Sequence, residues 1–326
     1  MKRREFIAGL GSAAAWPVVA RAQQPAMPVI GHLNAGSANT SISLAAFLQG
    51  LKESGFVKGR NVNIENRWAD GRYDRLPALA ADLVNRKVAV IYAVGGSFVT
   101  AAAREATSTI PIVFQGGGLD PVRTGLVASL SRPGGNITGV MNLGGLALGP
   151  KQIEFLHELL PTASSVGVLV NRSTFGEANS ISTREAARAL RWEFHVEYAS
   201  TEADLETAFA NLAQRRIGAL VVIGDPFFSD HRAQIVALAA RYAIPTSHFS
   251  RAFVVEGGLM SYGADLRETN RLGSTYVGRI LKGEKPSDLP VQQATRVEFA
   301  INMKTAKSLG LTFPLDLLAR ADEVIE

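Results

Sequence analysis

Gly95-Gly96-Ser97 suits an anion if a helix begins there. Backbone N–H groups and the positive end of a helix dipole attract a carboxylate, and missing side chains let it approach. The same three residues equally suit a tight strand-to-helix turn with Ser97 as the cap, so both readings stand. Gly116 lies in the flexible glycine-rich stretch Gln115-Gly116-Gly117-Gly118-Leu119-Asp120, which could contact ligand or form part of the lobe surface that meets a partner. Asp225 could neutralise a ligand ammonium or cap a helix begun by Pro226. Asn34, Ser37, Asn171 and Thr174 are neutral hydrogen-bonding groups that fit a polar or zwitterionic ligand, or ordinary turns. Phe175, Phe228 and Tyr262 could wall an apolar or aromatic ligand side chain, or fill a core.

Catalytic chemistry is harder to find. Cysteine is absent, which removes thiolate metal sites, disulfides and a Cys nucleophile. The five histidines (His32, His157, His195, His231, His248) show no metal-ligand spacing. No G-x-S-x-G elbow, Walker loop or H-E-x-x-H helix occurs, and no strand pattern beyond the leader runs into G-x-G-x-x-G. The expectation is a binding protein with no catalytic residue, no metal and no cofactor.

Candidate binding residues need elements to present them. Short Val/Ile-rich runs without polar alternation predict strands buried on both faces. They are Val29–Leu33, Val88–Val94, Ile110–Phe114, Val166–Val170 and Ala219–Ile223. Between them, Ser41–Ser54, Asp74–Lys87, Ser97–Thr107, Glu177–Arg191, Thr201–Arg216 and Ser229–Tyr242 carry helical spacing. Thr201 with Asp204 reads as a capping box, and Gly55 and Gly283 as helix C-caps. Strand–helix alternation predicts an α/β fold with parallel sheets covered by helices on both faces. Every candidate above except Tyr262 follows a predicted strand, where open parallel sheets bind ligands.

The pattern is written twice. Gly31 and Gly167 lie 136 positions apart, Gly95 and Gly224 lie 129 apart, and Pro111 and Pro245 lie 134 apart. Three landmarks at nearly one offset predict two lobes of the same topology. Gly257–Gly263 reads as a strand leaving the second lobe, Leu266–Lys282 as a helix, and Lys285–Pro290 as a linker before a last strand and helix.

Residues 1–22 read as an address. Lys2-Arg3-Arg4 precedes a short apolar run ending Ala20-x-Ala22, which matches a secretory signal, and Arg3-Arg4-x-Phe6-Ile7 resembles a twin-arginine export signal. The leader holds four basic residues (Lys2, Arg3, Arg4, Arg21) and one acid (Glu5), so the formal charge of +5 falls to +2 without it. No basic stripe points to nucleic acid. With no Cys to carry a lipid and no long apolar run, the expectation is an exported, soluble periplasmic protein without stable membrane insertion.

Six further stretches, with the strand opening at Val29, carry a family resemblance. They are Thr109–Phe114 followed by Asp120–Leu130, then Arg132-Pro133-Gly134-Gly135-Asn136-Ile137-Thr138-Gly139, and the C-terminal Leu281–Val291, Asn302–Leu311 and Leu317–Ile325. These resemble the TrpX-like (tryptophan/tyrosine-type) substrate-binding proteins of ABC transporters. The resemblance implies a type I periplasmic binding protein: two Rossmann-like lobes with parallel sheets, a three-segment hinge, and ligand in the cleft. It also implies ABC permease and ATPase partners and a small-molecule ligand, first an aromatic or apolar amino acid. The expected lobes are residues 27–142 with 263–285, and residues 143–262 with 286–326. A ligand sensor for a membrane receptor and a periplasmic cofactor enzyme are the alternatives. Gly116-Gly117-Gly118 departs from the family pattern and leaves fewer side chains to select a ligand.

Overall fold

In the computed structural model, the strands of the duplicated pattern assemble into two sheets. It describes residues 27–38, 42–117, 120–142, 145–172, 176 and 180–326. The expected leader lies outside the described residues.

The first sheet has the order β11-β5-β4-β3-β1-β2. Its strands are β1 (Val29–Asn34), β2 (Asn63–Trp68), β3 (Val90–Val94), β4 (Ile112–Gly116), β5 (Ile137–Met141) and β11 (Gln292–Gln293). The second has the order β13-β12-β10-β9-β8-β6-β7. It is built from β6 (Ser165–Val170), β7 (Glu193–Tyr198), β8 (Ala219–Val222), β9 (Thr246–His248), β10 (Met260–Ala264), β12 (Val297–Asn302) and β13 (Glu323–Ile325). The runs β5-β4-β3-β1-β2 and β10-β9-β8-β6-β7 match strand for strand, which is the expected repeat. Pairing is parallel except between β10 and β12.

Both faces of each sheet are covered, which explains the unalternating strand patterns. Ile91 and Ala93 of β3 pack among Leu76, Leu83 and Val99 from the helices Leu76–Asn85 and Ser97–Ala106. Val90, Tyr92 and Val94 face Phe47, Leu51, Tyr276 and Val277 from the helices Ile42–Glu53 and Leu266–Leu281. The second lobe repeats this. Val221 meets the core beside the helix Gly145–Leu159, and Leu220 and Val222 meet Leu205, Phe209 and Leu212 of the helix Glu202–Gln214. The paired glycines acquire a reason here. A Cβ on Gly31 would lie 3.0 Å from Leu83, and one on Gly167 would lie 2.5 Å from Leu212. Each repeat omits a side chain where its covering helix inserts a leucine.

Local signals match as well. Thr201 and Asp204 form the capping box. Gly55 and Gly283 take φ of +91° and +102° just past their helices. The expected helix Ser229–Tyr242 is instead two, Pro226–Asp230 and Arg232–Arg241, with His231 between them. The helix Gly145–Leu159 and the edge strands β2 and β7 were not expected; β2 reads Asn-Ile-Glu-Asn-Arg-Trp and lacks a buried apolar run.

The described chain passes between the sheets at three places: after β5, at Asp265, and at residues 294–296. The passages lie side by side: the Ala294 N–H donates to Met141 O at 2.8 Å, and the Asp265 N–H to Arg296 O at 3.1 Å. Two boundaries differ from expectation. Residues 286–293 belong with the first lobe, because β11 pairs with β5, the Thr138 hydroxyl donates to Leu289 O, and the Tyr276 hydroxyl donates to Pro290 O. Gly263 and Ala264 stay in β10 with the second lobe.

Candidate functional site

The C-terminal ends of β1, β3 and β4 bring three small loops together. The Ala35 N–H donates to Val94 O at 3.1 Å, and the Gly95 N–H to Gln115 O at 3.2 Å. Glycine is required for this closeness: a Cβ on Gly95 would lie 2.8 Å from that of Ala35, and one on Gly116 would lie 2.6 Å from the Gly96 nitrogen. Gly95 and Gly96 also hold φ of +112° and +109°, where a side chain is strained. Gly96 is the N-cap of the helix Ser97–Ala106 and supplies no side-chain cap, so the helix opens on bare backbone at the strand ends. Asn34 turns back on its own loop, its Oδ1 accepting from the Gly36 N–H at 2.8 Å.

The second lobe presents a polar cluster at the equivalent place. Asp225 and Asn171 are 5% and 2% exposed. Burial of that kind is tolerated when hydrogen bonds replace water. Asp225 Oδ1 accepts from the Phe227 N–H at 2.8 Å, which caps the helix Pro226–Asp230, and from Asn171 Nδ2 at 3.1 Å. The Ser200 hydroxyl in turn donates to Asn171 Oδ1 at 2.8 Å. Asp225 therefore does act as a cap, and the charge it brings lies at the mouth of the second lobe.

The lobes meet through these groups. The Tyr73 hydroxyl, from the turn after β2, donates to Asp225 Oδ1 at 2.7 Å, and the Ser37 hydroxyl to Asp230 Oδ1 at 3.2 Å. Burial, reinforced by the Asp225 charge, raises the Tyr73 phenol well above the usual tyrosine range and keeps it a donor. Its ring stacks on Phe98 at 5.9 Å between centroids. Among the described residues no three His, Asp or Glu groups could hold a metal ion, and no helix is long and apolar enough to cross a membrane.

Measured against expectation, Gly95, Gly96, Ser97 and Gly116 gather on the first lobe, with Ser37 beside Asp230. Asn171 and Asp225 gather on the second. Phe228 does not wall the cleft: it is fully buried in the second-lobe core with Leu205 and Phe253. Tyr262 sets its ring against Phe155 and Phe299 in the same lobe, so that ring is committed to packing. Thr174 and Phe175 lie outside the described residues. Sequence reasoning missed Tyr73, Phe98, Phe227 and Asp230. The signal for Tyr73 was Gly71-Arg72-Tyr73, which follows β2, a strand without an apolar run.

Comparison with known proteins agrees with this architecture. A tyrosine-binding protein of Clostridioides difficile (strain R20291) is 27% identical over 266 residues, covering 81% of this chain and 75% of that protein. A conserved domain protein of Vibrio cholerae has a TM-score of 0.83 at 25% identity, covering 91% of this chain and 99% of that one. An ABC domain from Streptococcus pneumonia, solved with L-Trp, has a TM-score of 0.80 at 22% identity with the same coverage. The ligand-free, open structure of CD0873 from Clostridium difficile has a TM-score of 0.64 at 23% identity, again with the same coverage. The profile of the ABC transporter substrate binding protein family matches residues 38–325, and with two lobes presenting facing polar clusters this chain belongs to that family.

Proposed function

We propose that this ABC-transporter substrate-binding protein captures an aromatic or apolar amino acid between its lobes and hands it to an importer. The observation that carries the reading is the convergence at the strand ends. Bare helix-opening backbone at Gly95–Ser97 suits the ligand carboxylate. The Asp225 region supplies negative charge opposite it, where an ammonium group would sit. Asn34, Ser37, Gly116 and Asn171 complete the polar lining, and Tyr73 with Phe98 offers an aromatic surface for the ligand side chain. The names of the relatives support the ligand class, since one is a tyrosine-binding protein and another was solved with L-Trp. Similarity is greater to the L-Trp complex than to the open structure at nearly equal identity and coverage, which supports reading the present arrangement as closed.

The working site is outside the cytoplasm. The Arg3-Arg4 leader and the absence of Cys support twin-arginine export and a periplasmic location within this proposal. Delivery then requires only a permease and ATPase, and no catalysis by this chain. Titration calorimetry with L-tyrosine, L-tryptophan, L-phenylalanine and L-leucine tests the ligand. Saturable one-to-one binding of at least one at micromolar strength or better is expected. Heat from none of them, alongside binding of a sugar or nucleoside, would overturn the amino-acid reading.

A further inference from the structure

Three first-lobe glycines, Gly95 of the ligand-facing loop among them, lie against the second lobe. A Cβ on Gly36 would lie 3.3 Å from Asp230 Oδ1, one on Gly71 would lie 3.4 Å from the Phe227 ring, and one on Gly95 would lie 3.4 Å from Pro226. All three faces meet a single element, the helix Pro226–Asp230 of the second lobe. That helix is pinned from both ends, at Asp225 by Tyr73 and at Asp230 by Ser37. Its own lobe fixes Asp225 through Asn171 and the Phe227 N–H, so the pin cannot swing with the ligand.

We infer that the helix Pro226–Asp230 is a latch: it seats in a glycine-lined notch of the first lobe, and Tyr73 is the positioning residue that holds it there. The latch bonds spend the Tyr73 and Ser37 hydroxyl protons on Asp225 and Asp230 and leave the Tyr73 ring to the ligand, so they stabilise the closed arrangement by much the same amount for every ligand. The latch therefore sets how fast a ligand leaves, while the cleft lining sets which ligand enters. Because a closed-state contact is lost before release, removing it raises the dissociation rate more than it changes association.

Three variants test this. Tyr73→Phe keeps the ring on Phe98 and removes the donor. Gly36→Leu, at a position with no left-handed φ, fills the notch. Ser37→Cys with Asp230→Cys, in a chain that has no other cysteine, cross-links the latch. Circular dichroism melts first confirm folding, and Ser37→Ala replaces Tyr73→Phe if the latter fails to fold. Small-angle scattering without added ligand is expected to show a larger radius of gyration for Tyr73→Phe and Gly36→Leu than for the parent. The oxidised double cysteine is expected to match or fall below the parent. In stopped flow with L-tryptophan, Tyr73→Phe is expected to release about tenfold faster, with association within about threefold. Identical scattering for parent, Tyr73→Phe and Gly36→Leu, or failure of the cysteine pair to cross-link, would overturn the latch. These scattering and cross-linking results do not depend on the amino-acid reading. A parent that binds no amino acid but opens on Tyr73→Phe refutes only that reading; a parent that binds L-tryptophan with unchanged scattering and release in Tyr73→Phe refutes only the latch.

Discussion

Asn171 Nδ2 and Asp225 Oδ1 lie 3.1 Å apart, tying the end of β6 to the first turn after β8 inside the second lobe. Both are almost fully buried, so each depends on the other for a bond that water cannot supply. Asp225→Ala is expected to cost about 2–3 kcal/mol, combining a lost helix cap with a buried amide deprived of this acceptor. Asp225→Asn keeps an oxygen in place and is expected to cost less than half of that. Urea denaturation of both variants reads the difference; equal losses would show that the carboxylate's charge, and not its acceptor geometry, matters.

Gly116 and Gly96 pack backbone to backbone. An alanine at 116 would place its Cβ 2.6 Å from a main-chain nitrogen and 2.7 Å from the Gly96 Cα, neither of which can rotate away. Gly116→Ala is expected to lower stability by about 3 kcal/mol or more and to weaken ligand binding by displacing the start of the helix Ser97–Ala106. Gly135 has open space around it and no left-handed φ, so Gly135→Ala is the matched control and is expected to be neutral within about 0.5 kcal/mol.

Two buried histidines give the protein an acid limit. Burial holds His32 down to about 4 and His248 down to about 3. Neither ring nitrogen of His32 has a hydrogen-bond partner, and burial outweighs the opposing effect of the nearby Asn66 side chain. Both rings are therefore neutral when folded, while an unfolded chain protonates them near pH 6.5. The unfolded state binds more protons below that pH, so stability falls on acidification from about 6.5 toward 4. The loss approaches about 3 kcal/mol for each ring at pH 4. His32→Phe, which preserves stacking with Phe47 and Tyr92, is expected to flatten roughly half of this slope in melts recorded between pH 7 and 4.

The capping box at Thr201 makes a smaller, local prediction. Thr201 accepts from the Asp204 N–H, and the Asp204 carboxylate accepts from Ser200 and Thr201 N–H groups. Those backbone bonds, led by Ser200, pull the Asp204 carboxyl below its usual range. Thr201→Ala is expected to cost about 1 kcal/mol in chemical denaturation, with ligand affinity unchanged.

The repeat and most strands were legible because buried parallel strands are written in Val and Ile, and because Gly31 and Gly167 answer to the same packing need. The edge strands β2 and β7 were illegible for the same reason in reverse: half-exposed, they carry Glu, Asn, Arg and His. That gap hid Tyr73, which follows β2. Phe228 misled because a phenylalanine next to a strand end reads alike whether it faces a cleft or, as here, the core. Asp225 and Asn171 were visible as strand-end polar residues. Their mutual bond, and the reach of Tyr73 across 152 positions, belongs to tertiary packing that no local pattern encodes.

The placement of β11 and the helix Leu266–Leu281 has a consequence for how the protein is made. The amino-terminal sheet receives its last edge strand, and the helix Leu266–Leu281 that shares one covering layer with the helix Ile42–Glu53, from residues beyond 265. A ribosome that has released only the first 260 residues has produced a sheet whose Val90–Val94 face has Phe47 and Leu51 against it but still lacks Tyr276 and Val277. Early synthesis therefore leaves that face half covered, and the first lobe is completed only when the last sixty or so residues have emerged.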